Sequence, residues 1–180
     1  MTFGKLPFGL NNAYVYPLDG SDVPGTGIPL PAGRTVEIAP KEDTNTLTGY
    51  NGTVATNVSK TSADVTVEYG GIDLAVLAAI TGGTIVASGT TPNAKRVLDV
   101  GQSGVTRPYV MVAGQALADD GGDSVIKVWK VKFDIPTGSF KESEYHVDSI
   151  KGTAVRNTNG KLLTFIQNET AITMGTTAPS

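Results

Sequence analysis

One side chain in this sequence has both a pKa near neutrality and the capacity to activate a nucleophile or ligate a metal: the imidazole of His146. Cysteine is absent, so a zinc site would need three oxygen ligands around that ring, and no spaced His pair supplies a second nitrogen. A nucleophilic serine would have to recruit the same imidazole as its base, and no nucleophile-elbow pattern is present. His146 is therefore read as a histidine on a strand surface. Asp119, Asp120 and Asp123 could gather oxygens around calcium, but they lack the alternating spacing and closing Glu of a calcium loop and read as a solvated turn. The GQSG tetrapeptide at 101–104 has neither the lysine nor the following helix of a phosphate loop. Lys127, Lys130 and Lys132 crowd one segment, with Lys130 and Lys132 on one face. Useful affinity for a phosphate backbone needs several more such groups, so this is read as a solvated or intersubunit-paired face. No carboxylate pair is singled out for glycoside hydrolysis. The residues thus point away from an enzyme and toward a chain that needs no cofactor and no metal.

The elements that would position these residues are mostly strands. Ala63, Val65, Val67 and Tyr69 alternate with Asp64, Thr66 and Glu68, the period of a half-buried strand. Residues 72–80 are nearly uniformly apolar and rich in Leu and Ala, which predicts a short helix stopped by Gly82 and Gly83. A helix that short must pack on something, and the adjoining sheet is the available partner. Further strands are predicted at 12–18, 34–39, 84–87, 107–117, 125–135, 145–155 and 162–166. Ala13, Val15 and Pro17 oppose Tyr14 and Tyr16 in the first of these, and Pro40 should end the pairing of the second. In 125–135, Trp129, Val131, Phe133 and Ile135 fall on one face and Lys130, Lys132 and Asp134 on the other. Residues 19–33 contain too many glycines and prolines for a regular element and read as a loop or an arm running over a neighbour. Residues 41–62 are polar and rich in Thr and Asn, with an Asn51-Gly52 turn signal. They make either a protruding hairpin or a segment that becomes ordered against another subunit.

With 180 residues the chain is long enough for one domain with its own core. We read 11–166 as the core, 19–33 and 41–62 as extended loops and 167–180 as a C-terminal arm, mobile in isolation. Charged residues make up only 17% of the chain, which suits polar surfaces that become buried in a permanent assembly. A net charge of -3 argues against general affinity for nucleic acid, though it allows DNA to pass an acidic face without sticking. Residues 1–10 carry one Lys and no continuous apolar run, so they do not read as a secretory signal.

The segments TVEIAPKEDTNTLTGYNG (35–52), ADVTVEYGGIDLAVLAAITGG (63–83), RPYVMVAGQAL (107–117), DSVIKVWKVKF (123–133) and YHVDSIKGTAV (145–155) follow in an order that resembles the major tail protein, the tube-forming subunit of long non-contractile phage tails. The resemblance covers nearly the whole chain. It implies a mainly β fold, a β-sandwich or small barrel flanked by one α-helix, with a long hairpin loop and a terminal arm. It also implies hexameric rings stacked into a tube, with 72–80 as the flanking helix and 41–62 reaching the next ring. Assembly candidates on that segment are Lys41, Asp43, Asn45, Leu47, Tyr50, Asn51, Val54 and Val58. Residues 19–33 and 167–180 would be further contact arms. An acidic lumen is implied, for which Glu37, Asp64 and Glu68 are candidates because each opposes apolar neighbours on its strand. The implied partners are sister copies, tape measure, distal tail and terminator proteins, and viral DNA in transit, without membrane insertion. The implied location is the virion tail, assembled in the host cytoplasm. Two other readings fit the same residues: a tube, terminator or distal ring protein of a contractile tail or secretion system, and a carbohydrate or host-surface binding module stacking on Tyr14, Tyr16, Tyr50 and Trp129.

Overall fold

The computed structural model describes residues 3–50, 52–137 and 140–179, with the backbone alone at 49, 59 and 60. Asn51 of the expected turn lies outside the described residues, as do Met1 and Ser180 at the ends of the expected N-terminal segment and C-terminal arm. The fold is mainly β, with two sheets and one flanking helix. Its strands are β1 (Pro7–Pro17), β2 (Ile28–Pro29), β3 (Gly33–Gly49), β4 (Gly52–Gly70), β5 (Ile85–Ser88), β6 (Lys95–Leu98), β7 (Val110–Ala118), β8 (Asp123–Phe133), β9 (Val147–Ala154) and β10 (Leu163–Asn168). The helix α1 spans Leu74–Thr81, between β4 and β5.

The large sheet runs β2-β1-β7-β8-β9-β4-β3, with β10 branching from β8, and all pairings are antiparallel. It does not close into a barrel. It folds over on itself instead, because β8 serves two layers. The first part of β8 pairs with β7 and β10, and its end, Val131 to Phe133, pairs with Ala154 to Gly152 of β9. Between them Trp129 and Lys130 both stand opposite Met111, and Lys130 has φ of 49°. This is a β-bulge, which bends a strand and reverses its alternation.

The bulge corrects the expected face. Trp129 does not share a side with Val131 and Phe133: it joins Tyr14, Tyr16, Met111, Val125 and Met174 in a second cluster on the outside of the β1-β7-β8 layer. Val128, Val131 and Phe133 enter the main core with Val15, Val65, Val67, Ile150 and the Val76 and Ile80 face of α1. Asp73 caps α1 by accepting from the Ala75 N–H at 2.7 Å, and Gly82 ends it in a left-handed conformation (φ 76°), where its N–H donates to Ala78 O. The helix is where the Leu/Ala run placed it.

Pro40 does not end β3. The strand is an edge strand, so the missing N–H costs no ladder bond and Pro40 stands opposite Ala63. Past it the β3–β4 ladder continues to Gly49↔Gly52, so 41–62 is a hairpin arm rather than an irregular loop. The 145–155 segment buries Asp148, Ile150, Gly152 and Ala154, the phase opposite to Tyr145 and Val147. Gly152 stands in that phase because Phe133 leaves no room there for a side chain. A Cβ on Gly152 would lie 2.6 Å from Lys132 O and 2.7 Å from Phe133 Cδ1. Residues 107–109 precede β7, and β6, which pairs with β5 in the small second sheet, was not foreseen. Gly152→Ala is expected to destabilise the fold by about 1–3 kcal/mol through overpacking, read as a lower midpoint in urea with an unchanged m-value.

Candidate functional site

A feature that the chain's own packing does not explain is the β3–β4 arm. β9 pairs with β4 only as far as Ala63, and beyond Thr61 the ribbon pairs with itself alone. At ~3.3 Å per residue the nine residues from Lys41 to Gly49 project roughly 30 Å. Arg156 braces the base by donating to Thr61 Oγ1 at 3.0 Å. A two-stranded ribbon gains little burial, and this one leaves Leu47, Tyr50, Val54 and Val58 exposed. Seven of the eight assembly candidates belong to this arm: Lys41, Asp43, Asn45 and Leu47 on β3, Tyr50 at the tip, and Val54 and Val58 on β4; the eighth, Asn51, lies outside the described residues.

The lumen candidates also come together. Glu37 pairs opposite Thr66, Asp64 opposite Ala39 and Glu68 opposite Thr35, so all three stand on the face of the β4-β3 layer turned away from the core. The face is mixed in sign. Lys41 pairs with Asp64 at 2.5 Å, and Lys151 stands opposite Thr66. Glu37 and Glu68 are left as the carboxylates of this face with no ion pair among the described residues.

The chemistry candidates fall differently. Asp123 is not part of a solvated turn: it is fully buried and accepts from Gln115 Nε2, from Asn168 Nδ2 at 2.7 Å and from the Ile172 N–H at 3.1 Å. Asp120 remains at the turn, where it accepts from the Lys5 and Leu6 N–H groups. His146 is not on a strand surface. It precedes β9, its side chain is 11% exposed, Nε2 lies 2.7 Å from Asp148 Oδ1, and its ring stacks on Phe140. Burial, with the nearby Asp148 carboxylate second, holds the Tyr69 hydroxyl well above its ordinary pKa. Among the described residues no group of three or more metal-ligating side chains gathers, and no helix is long and apolar enough to cross a membrane.

Lys127 is buried and donates to Pro179 O at 2.8 Å; burial, then Lys161, lowers its pKa. Lys130 and Lys132 do share a site, each 5.3 Å from the Tyr109 ring centre, and Lys130 pairs with Asp22 at 3.1 Å. Burial alone would raise the Asp22 pKa, but the Thr158 N–H and Lys130 outweigh it and hold it below its ordinary value. The aromatic platform does not form: Tyr16 is fully buried, Trp129 packs in the second cluster and Tyr50 sits at the arm tip.

What sequence reasoning missed is that 171–179 is a strap across the second cluster. Gln115 Nε2 donates to Ile172 O, Tyr16 Oη to Gly175 O and the Gly27 N–H to Thr176 O, while Met174 is buried. Burial, with Tyr14 beside it, pushes the Tyr16 hydroxyl up to about 12. Residues 19–33 likewise fold onto the body of the chain, through Leu30 in the main core and Asp22 on Lys130. The available signal was an apolar run on both phases in 13–16 and 110–113, which requires a cover on each face. A scan against protein-family models finds no match for this chain, and a search of curated proteins finds none either.

Asp123→Ala removes the acceptor shared by the buried Gln115 Nε2 and the part-buried Asn168 Nδ2 and Ile172 N–H, so it should cost about 1–3 kcal/mol and raise amide exchange across 171–179. The Asp22 pairing gives a pH dependence of fixed sign. Its folded pKa lies below the unfolded value of about 3.9, so its contribution is present above pH ~4 and is lost as pH falls through the folded pKa. Asp22→Asn should therefore lower stability at pH 7 and shrink the loss between pH 7 and pH 3, measured by urea denaturation at each pH.

Proposed function

We propose that this chain is the structural subunit of the tail tube of a long non-contractile phage tail. It polymerises as stacked hexameric rings and forms the conduit through which viral DNA leaves the capsid, with tape measure, distal tail and terminator proteins meeting the tube. The observation that carries this reading is an arm of roughly 30 Å whose apolar side chains find no cover in their own subunit. An open sheet supports it. β3 and β10 each pair on one side only among the described residues, and unpaired edges are templates for other strands. Closing a ring of copies pairs such edges without leaving any free in the wall.

The face bearing Glu37, Asp64 and Glu68 is the one assigned to the channel. Lys41 offsets Asp64, so repulsion of the phosphate backbone falls mainly to Glu37 and Glu68. The work of such a protein is assembly and passage, with no bond made or broken.

Deleting residues 45–58 tests the arm without touching either core. The truncated chain should keep its thermal transition and lose tubes in negative-stain micrographs, whereas the full chain forms tubes with a central hole. Tubes of normal length from the truncated chain would remove the arm from the assembly. Replacing both Glu37 and Glu68 by Lys should leave tube formation intact and sharply reduce DNA ejection, scored by infectivity of particles with normal tails.

A further inference from the structure

An open apolar groove of about 270 Å³ lies between the start of β3 and the far end of the β7–β8 hairpin, lined by Leu10, Val36, Gly114, Ala116 and Ile126 with Thr35 at its rim. It exists because β3 crosses the other layer at Val36. Val36 Cγ2 lies 3.7 Å from where a Gly114 Cβ would stand, and the inner face beyond that crossing is left uncovered. Gly114 and Ala116 keep its floor low. Among the described residues Arg34 is the one charged residue of its lining.

The chain itself holds a segment of matching character. Residues 44–59 contain no charged side chain, and they carry the exposed Leu47, Val54 and Val58 of the arm. The arm cannot reach the groove of its own subunit. β3 forms one wall of the groove and runs without a break from Val36 to Gly49, which carries the tip roughly 40 Å away. We propose that this groove receives the arm of a second copy, an uncharged ribbon edge entering a mainly apolar cleft whose charge is that of Arg34 at one side. Knob and socket sit on different parts of the subunit, so the contact is head-to-tail, the kind that can repeat from one ring to the next. The inference rests on the tube reading and names the receptor for its arm.

The absence of cysteine makes a clean cross-linking test possible, because introduced thiols are the only ones present. Chains carrying Leu47→Cys are mixed with chains carrying Ala116→Cys, assembled, and treated with a short bismaleimide. Thr35→Cys at the exposed rim replaces Ala116→Cys if the latter fails to fold, as judged by its thermal transition. A covalent dimer is expected from the mixture and from neither chain alone, and Thr153→Cys, on the outer face of β9, should give none with Leu47→Cys. Tubes in the micrographs without that dimer, or with equal coupling to Thr153→Cys, overturn the groove as receptor and leave the tube reading standing. No tubes and no dimer at any concentration overturn both.

Discussion

Strand β8 must feed the same core before and after a change of direction, and the extra residue at Trp129–Lys130 allows it. Without the bulge, Val131 and Phe133 would project to the side occupied by Trp129, and the main core would lose both of them where β8 meets β9. The left-handed backbone at Lys130 costs of order 1–3 kcal/mol in a residue other than glycine. Contacts with Asp22 and Tyr109 hold that conformation in place. From this bend follow the folded-over sheet, the core between its layers and the second cluster outside the first layer. The same bend leaves β3 and β10 as edges and sets β3 across β7 so that the arm projects clear of the body.

Binary pattern made much of this legible. The alternation in 63–69 marks a strand whose buried face the structure keeps, the Leu/Ala run behind it marks the helix, and the β-rich class follows from turn residues and strand periods. What could not be read was any reversal of phase inside a strand. A bulge leaves no mark in a period-two pattern, so the run 125–135 suggested a single face. In 147–154 the buried phase is carried by Asp148, Ile150, Gly152 and Ala154, of which Ile150 alone is a large apolar residue. Pro40 looked like a terminator because its edge position was not visible.

The polar residues show the same division. Asp123 sits beside two exposed-looking aspartates in sequence, yet its partners Gln115, Asn168 and Ile172 come from three separate segments. No local signal distinguishes it from Asp120. The C-terminal strap is similar: small, polar residues suggested mobility, whereas their carbonyls are used by Gln115, Tyr16 and Lys127. The hairpin itself, by contrast, is legible in the Asn51-Gly52 turn signal between two strand-like runs.

The central claim is that the free sheet edges and the arm are completed by sister copies that enclose a channel. A high-resolution density map of the assembled particle tests it most directly. The expected map shows this polypeptide repeated around a hollow shaft, with β3 and β10 bonded to neighbouring copies and Glu37 and Glu68 facing the bore. A map that places the chain away from the shaft, or that leaves both edges and the arm facing solvent, contradicts it.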